Sequence, residues 1–416
     1  MTDDRIDALI RRLDVPSDPD PSFVRVTYAA LMPRARAARV SDTSRVGRLQ
    51  RDLRLVVSGA AWSAMPRRAG AAGFVLLLIL AAMAALAIVG ALNRVQPIQN
   101  GPLVVSIRGE LRVIDTLGGS ARTITLGGDD AQGVSRSPDG RLVTFWTIGG
   151  GRTHLYAVGI DGQDRRELAS SMDLAWTSSI DTWSSDSRYL ATGAILLDGG
   201  SRSERIVIVD VATGAATAVT PPEISAFSPL WSPDNQWIAF SEVAGAVHSL
   251  AIIRTDASGM RTVSGDLTGV GGPDTWSPDG TWIYFDSDGH IYRANVPGGF
   301  NEQLTGDGLQ AYAPASSPDG TMIAFIVDPP DHRAWQLYVA NSDGSGAHRL
   351  LDNATHDGWS SDGRYVLAEW TPTDQPGGLA VVTPDGSEFR VVLPFDADCR
   401  SGETCTDGVG WGQPRP

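Results

Sequence analysis

The 416-residue sequence contains no lysine; all 34 basic residues are arginine. That bias reflects GC-rich arginine codons and carries no chemistry. Glutamate is scarce after residue 70, with 9 against 31 aspartates. Aspartate bonds its own nearby backbone, so this balance favours turns over helix surfaces. No Gly-x-Ser-x-Gly segment occurs, which excludes the nucleophile elbow of an α/β-hydrolase. The histidines, His154, His248, His290, His332, His348 and His356, form no His-Glu-x-x-His or comparable ligand pair. Cys399 and Cys405 are the only cysteines, and residues 1–70 hold neither Cys nor His, which removes a zinc site from that segment.

Charge is missing altogether from Ala71 to Leu92, AAGFVLLLILAAMAALAIVGAL. As a helix this run is ~33 Å long, enough to cross a ~30 Å hydrocarbon core. Arg67 and Arg68 stand just before it and only Arg94 closely follows. The positive-inside bias therefore predicts residues 1–70 in the cytoplasm, a single transmembrane helix over 71–92, and 93–416 outside the cell membrane. A signal peptide would place its charged region a few residues before the apolar run, not about 70.

The two sides differ in charge. Residues 1–70 hold 13 Arg and 8 Asp, net +5, whereas the remainder holds 21 Arg and 40 acidic residues, net −19. An acidic outer domain argues against nucleic acid or anionic lipid as its partner and keeps it soluble. Within 1–70, Ile6, Leu9, Ile10 and Leu13 have helical spacing, and Pro16, Pro19 and Pro21 then break the chain. Further helices are predicted over Ser22–Met32 and from Ser41, as N-cap, to Val57. This short amphipathic segment lacks the strand-rich wing of a DNA-binding winged helix; it suits an anchor or a docking bundle for a cytoplasmic partner.

What the sequence has in plenty is glycine, 46 residues, and one repeated turn. Its copies are Ser137-Pro138-Asp139-Gly140, Ser185-Asp186-Ser187, Ser232-Pro233-Asp234-Asn235, Ser277-Pro278-Asp279-Gly280, Ser317-Pro318-Asp319-Gly320 and Ser361-Asp362-Gly363. Proline presets φ, Asp accepts a backbone N–H, and Gly or Asn tolerates the left-handed closing conformation. Trp183, Trp231, Trp276 and Trp359 precede four copies, each followed by Ser, and an apolar strand such as Trp282–Phe285 follows every copy. A third strand, a glycine turn such as Asp161-Gly162 or Asp343-Gly344, and a short fourth strand complete each unit. Four antiparallel strands per ~45 residues make one propeller blade.

With these turns in register, residues 100–416 resemble the TolB-type, WD-repeat-like β-propellers, which carry a Trp-Ser-Pro-Asp-Gly turn in each blade. The resemblance implies an all-β propeller and leaves function open, since such blades serve scaffolds, receptors and enzyme accessory domains. Six turns invite six blades, the alternative. However, Leu103–Ile107, Leu111–Ile114 and Thr123–Leu126 are second, third and fourth strands lacking a first, and Gly408–Gly412, with Trp411, is a first strand lacking the rest. Pairing these terminal strands closes a seven-bladed ring over 103–416, after a linker at 93–102, and removes exposed edges.

The turn aspartates (Asp139, Asp186, Asp234, Asp279, Asp319, Asp362) are expected to be structural, and the tryptophans, Trp411 included, to pack between blades. Asp286-Ser287-Asp288-Gly289 opens like a calcium loop, but no glutamate follows at the right distance, so a hairpin is expected. Ser277–Trp282 differs from a sialidase Asp-box because Gly280 follows Asp279 directly. Propellers of this type also precede the hydrolase domain of prolyl-oligopeptidase-like peptidases, and no such domain is expected here. No catalytic residue, cofactor or metal is expected.

The favoured function is binding of a protein or peptide outside the membrane, through the loops Asp198–Arg205, Asp328–Trp335 and Thr371–Gly378. The alternatives are a sensor signalling through residues 1–70 and a propeller enzyme such as a lactonase or lyase. Cys399 and Cys405 fall outside the membrane, where disulfides persist, and a bridge there would hold the loop that delivers the last strand; two free thiols are the alternative. Thiol labelling of the unreduced protein tests the bridge: neither cysteine should react until reductant is added, and full labelling of both sinks it.

Overall fold

The computed structural model describes residues 102–410, except 115–120, 125–129, 150–151, 173–181, 199–200, 245–246, 266, 268, 333, 374–375 and 396–408. The expected transmembrane helix and cytoplasmic helices lie outside the described residues, as do Cys399, Cys405 and Trp411.

The described chain is β throughout, because runs rich in β-branched and aromatic residues are cut every few positions by Gly, Asp and Ser turns. Blade 1 holds β1 (Leu103–Ile107), β2 (Glu110–Ile114) and β3 (Ala121–Thr123). Blade 2 holds β4 (Gln132–Arg136), β5 (Leu142–Gly149), β6 (Arg152–Gly159) and β7 (Arg166–Leu168). Blade 3 holds β8 (Thr182–Trp183), β9 (Tyr189–Asp198), β10 (Ser201–Asp210) and β11 (Ala216–Ala218). In blade 4 are β12 (Ser225–Trp231), β13 (Trp237–Ala244), β14 (Val247–Arg254) and β15 (Arg261–Thr262). Blade 5 comprises β16 (Val270–Trp276), β17 (Trp282–Ser287), β18 (His290–Asn295) and β19 (Phe300–Gln303). Blade 6 comprises β20 (Gln310–Ser316), β21 (Met322–Asp328), β22 (Gln336–Asn341) and β23 (His348–Asp352). Blade 7 comprises β24 (Ala354–Trp359), β25 (Val366–Trp370), β26 (Gly378–Val382) and β27 (Phe389–Pro394).

The last strand, β28 (Val409–Gly410), completes blade 1 by pairing antiparallel with β1, Val105 opposite Val409 and Val104 opposite Gly410. Each of the seven sheets therefore has four strands, and the ring is seven-bladed rather than six-bladed. The apolar core is correspondingly divided. Each cluster among the described residues joins two successive blades, as Trp146 and Leu155 of blade 2 meet Leu190 and Val207 of blade 3. Leu103, Val105 and Ile114 meet Leu367, Leu379 and Val381, joining blade 1 to blade 7.

The repeated turn is organised by the serine that opens it. In blade 5 the Ser277 hydroxyl donates to Asp279 Oδ1 (2.5 Å) and accepts the Trp282 N–H (2.9 Å). Asp279 also accepts the Thr281 N–H (3.0 Å), and the Gly280 N–H returns to the Ser277 carbonyl (2.9 Å). The same double use of the hydroxyl recurs at Ser137, Ser184, Ser232, Ser317 and Ser360. The fourth turn residue is always left-handed, with φ from 59° at Asn235 to 73° at Gly140, which favours glycine.

Successive turns also touch. A Cβ on Gly320 would meet Pro278 of the preceding turn at 3.2 Å. Where glycine is absent a side chain bonds instead: Ser187 Oγ accepts the Asp139 N–H (2.9 Å) and Asn235 Oδ1 accepts the Ser185 N–H (2.7 Å).

Replacing Ser277 with Ala leaves the Trp282 N–H without its acceptor. Such a loss costs about 1–2 kcal/mol, which a urea titration should show as a lowered midpoint. An unchanged midpoint would mean that the hydroxyl does not hold the turn.

Candidate functional site

The turn aspartates all lie on one face of the ring, engaged with their own serines. The Ser277 hydroxyl, followed by the Thr281 N–H, holds the Asp279 carboxyl below its usual range against the opposing effect of burial. Trp183, Trp231, Trp276 and Trp359 are buried in clusters shared with a neighbouring blade. Trp276 Nε1 donates to the Leu230 carbonyl (3.3 Å) and Trp359 Nε1 to that of Ala315 (2.9 Å), each on the preceding blade. In blade 2 the same position is Arg136, whose buried guanidinium donates to the Pro102 carbonyl (3.1 Å).

Of the three expected recognition loops, the first is mostly strand. β9 and β10 pair continuously from Tyr189–Asp210 to Asp198–Ser201, so residues 201–205 belong to a ladder rather than a loop. The continuous apolar run Ala194–Leu197 of β9 pairs with residues 202–205 of β10, whose polar composition does not by itself announce a strand. Residues 371–377 do connect β25 to β26, and Asp288 and Gly289, both left-handed, turn the β17–β18 hairpin.

The stretch after Asp328 shapes the opposite face. Together with the β19–β20 connection it encloses a cleft of about 570 Å³, lined among others by Leu309, Gln310, Tyr312, Asp328, His332 and Gln336. Trp335, 42% exposed, meets Tyr312 edge-on with ring centroids 5.7 Å apart. His332 Nδ1 lies 2.7 Å from Asp328 Oδ2, and the Tyr312 hydroxyl donates to Gln310 Oε1 (3.1 Å).

Next to this mouth, the innermost strands of blades 5 and 7 carry carboxylates on the channel wall. Asp274 is the unpaired residue where the β16–β17 register shifts between Pro273 and Thr275, and Asp357 where β24–β25 shifts between His356 and Gly358. A bulge of this kind re-aims one side chain out of the regular alternation. Asp274 Oδ2 is shut off from solvent and has no hydrogen-bond partner. Burial, and next the Asp286 carboxylate, push Asp274 well above the usual carboxylate range, although the Asp286 N–H opposes them. Burial also raises Asp286.

Blade 6 links the two neighbours through the backbone of one residue. Ala313, left-handed at φ 50°, donates its N–H to Asp286 Oδ2 (3.5 Å), and its carbonyl lies 2.6 Å from His356 Nε2. Burial lowers the His356 pKa, so the ring is neutral, with Nε2–H donating and Nδ1 left as a partnerless acceptor. Asp357 is exposed to solvent, yet protein surrounds it on the wall, and that burial followed by the Glu369 charge raises it to about 7.

Of these wall residues the sequence pointed only to Asp286, as the opening of a calcium-like loop, and to His356, as one of six histidines; Asp274, Asp357 and Glu369 did not stand out. The signal is there only after the blades are aligned on their serines: the positions three before and nine after are both acidic in blades 5 and 7.

Comparison with known proteins agrees with this architecture. The family model described as TolB beta propeller domain matches residues 178–401. An uncharacterized protein of Agrobacterium fabrum is 27% identical over 197 residues, 45% of this chain, and the chain spans 61% of that relative's length. Among solved structures, an oligogalacturonate lyase in complex with manganese matches with TM-score 0.53 at 14% identity, covering 71% of this chain and 85% of that one. A Mycobacterium tuberculosis puromycin-hydrolyzing peptidase matches with TM-score 0.53 at 15% identity, covering 68% of this chain and 50% of its own. At such identities these neighbours share the fold and assign no reaction to this chain.

Asp357 gives the wall a pH signature. Its folded pKa of about 7 exceeds the usual 3.8, so folding takes up a proton between those values and stability falls as pH rises through them. Asp357→Asn removes the penalty. Unfolding midpoints should show the variant about 1 kcal/mol more stable near pH 8, the shift being discounted for the solvent the side chain retains. That advantage should vanish below about pH 4; a difference independent of pH would contradict the assignment.

Proposed function

The chain belongs to the TolB beta propeller domain family, and from that premise we propose that it is a membrane-anchored extracytoplasmic binding module. A helix over 71–92 holds it in the membrane, and the propeller takes a protein or peptide segment at the mouth over blades 5 to 7. The observation that carries this reading is the cleft after Asp328. Its volume of about 570 Å³ lies within the ~300–1,000 Å³ range of ligand sites. It combines apolar walls (Leu309, Pro329, Pro330) with the polar groups of Gln310, Asp328 and Gln336. Trp335 and Tyr312 stand at its edge as amphipathic anchors of the type that dominates interface energetics. Loops on a rigid sheet scaffold suit recognition, because the scaffold fixes the geometry while loop sequence sets specificity.

The full chain carrying a photo-crosslinking residue in place of Trp335, expressed in its membrane in intact cells, tests the reading. It should capture a defined partner, and Tyr312→Ala should weaken that capture by about 10–100-fold, the loss of one hot-spot aromatic (~1.5–3 kcal/mol). If the probe at Trp335 captures nothing beyond what the same probe captures at exposed Phe389 on β27, the mouth is not the binding surface.

A further inference from the structure

Blades 5 and 7 share an arrangement that the other described blades lack. Three residues before and nine after the anchor serine stand Asp274 and Asp286 in blade 5, and Asp357 and Glu369 in blade 7. The same positions hold Val134 and Trp146 in blade 2, Pro229 and Ser241 in blade 4, and Pro314 and Ile326 in blade 6. The first member of each acidic pair is a bulged residue of the innermost strand and the second lies on the adjoining strand, so one pair stands on either side of blade 6.

We propose that these two carboxylate pairs recognise basic side chains, arginine or lysine, of the segment that binds at the mouth. The inference rests on the binding reading above and adds the chemistry of the partner.

The first support is the one-sided hydrogen-bonding character of the wall. Asp274 Oδ2 is enclosed and without a donor, and His356 Nδ1, beside Asp357, is a second enclosed acceptor without one. An enclosed acceptor left without a donor is costly, and guanidinium and ammonium groups are donors only. Charge is the second support. Burial, then the Asp286 charge, acts on Asp274 against one backbone N–H of Asp286, and burial, then Glu369, acts on Asp357; none of these is a cation. Among the described residues the innermost strands carry one basic residue, Arg136, whose guanidinium is committed to the Pro102 and Gly140 carbonyls in blade 2. The third support is ligand number. No three His, Cys, Asp or Glu side chains gather among the described residues, whereas calcium takes ~6–8 oxygens, so paired carboxylates fit an organic cation better than a metal.

The titratable groups on this wall are Asp274, Asp286, Asp357, Glu369 and His356, with Tyr312 on the blade 6 strand between them. Burial favours protons on the raised carboxyls, and an entering cation displaces them, so affinity should grow with pH.

The test uses the full chain in detergent and two fluorescent peptides, tetra-arginine and its neutral tetra-citrulline counterpart. At about pH 8 the arginine peptide should bind about ten-fold more tightly or better, and the ratio should shrink at about pH 6. Asp357→Asn with Glu369→Gln should bring the ratio close to one. Asp274→Asn with Asp286→Asn is an independent pair of changes, so a folding failure in one variant leaves the other. Glu223→Gln, at an exposed carboxylate outside the wall, should leave the ratio unchanged. Equal binding of the two peptides overturns the proposal, as does a preference that survives both double variants, which would reflect the overall acidity. Calcium binding lost in both variants without any peptide preference would assign the pairs to a metal and also overturn it.

A displayed library of random peptides separates this inference from the reading beneath it. Enrichment that depends on Tyr312 but shows no basic excess sinks only the cation recognition. No enrichment over Tyr312→Ala sinks the binding module itself.

Discussion

A blade has two apolar faces, and each can leave water only against another blade. A row of blades therefore always has two wet ends unless it closes on itself. Here closure depends on the short strand Val409–Gly410 lying against Leu103–Ile107. That pairing draws residues from the two ends of the domain into one sheet and gives β1 a neighbour on both sides. It also lets Leu103 and Val105 meet Leu367 and Leu379 across the last interface. Without it β1 would be an open edge and the faces of blades 1 and 7 would be unsupported.

Within the closed ring the two faces are built differently. One carries the serine-anchored turns, in which a single hydroxyl donates to an aspartate and accepts the N–H that starts the next strand. Those turns also contact one another around the ring, through proline against glycine or through Ser187 and Asn235. Their side chains are used up locally, which suits a platform. The opposite face carries connections of unequal length, and the one after Asp328 is long enough to enclose a cleft beside the channel.

The channel wall between these faces works against simple stability. Burial raises the charging cost of Asp274 and of Asp286, the Asp286 charge raises that of Asp274 further, and only backbone N–H groups oppose this. Titratable groups held so far from their ordinary range gather at functional sites more often than by chance. The backbone of Ala313, its N–H bonded to Asp286 and its carbonyl to His356, couples three blades at this level. A cationic partner would relieve the wall's charge, so the feature that costs the free protein stability is the one that favours the complex.

Much of the architecture is written in local sequence. The Ser-Pro-Asp-Gly turns declare themselves because the left-handed fourth residue and the anchoring hydroxyl are requirements met within six consecutive residues. The seven-blade count follows from a unit missing its first strand and a first strand missing its unit, which is a matter of order along the chain. The long β9–β10 hairpin and the cleft beside Tyr312 were not legible in this way, since strand pairing beyond Asp198 and the approach of Leu309 to Pro329 depend on neighbouring segments. The carboxylate pairs lie between these cases. Asp274 and Asp286 are twelve residues apart and read as unrelated turn or strand residues. Only the bulge in β16 and the pairing with β17 set one beside the other, and only the closed ring takes them out of bulk water. Sequence fixes what a blade is, because a turn is a local object; tertiary structure decided which carboxyls share a wall, because burial is a property of the ring.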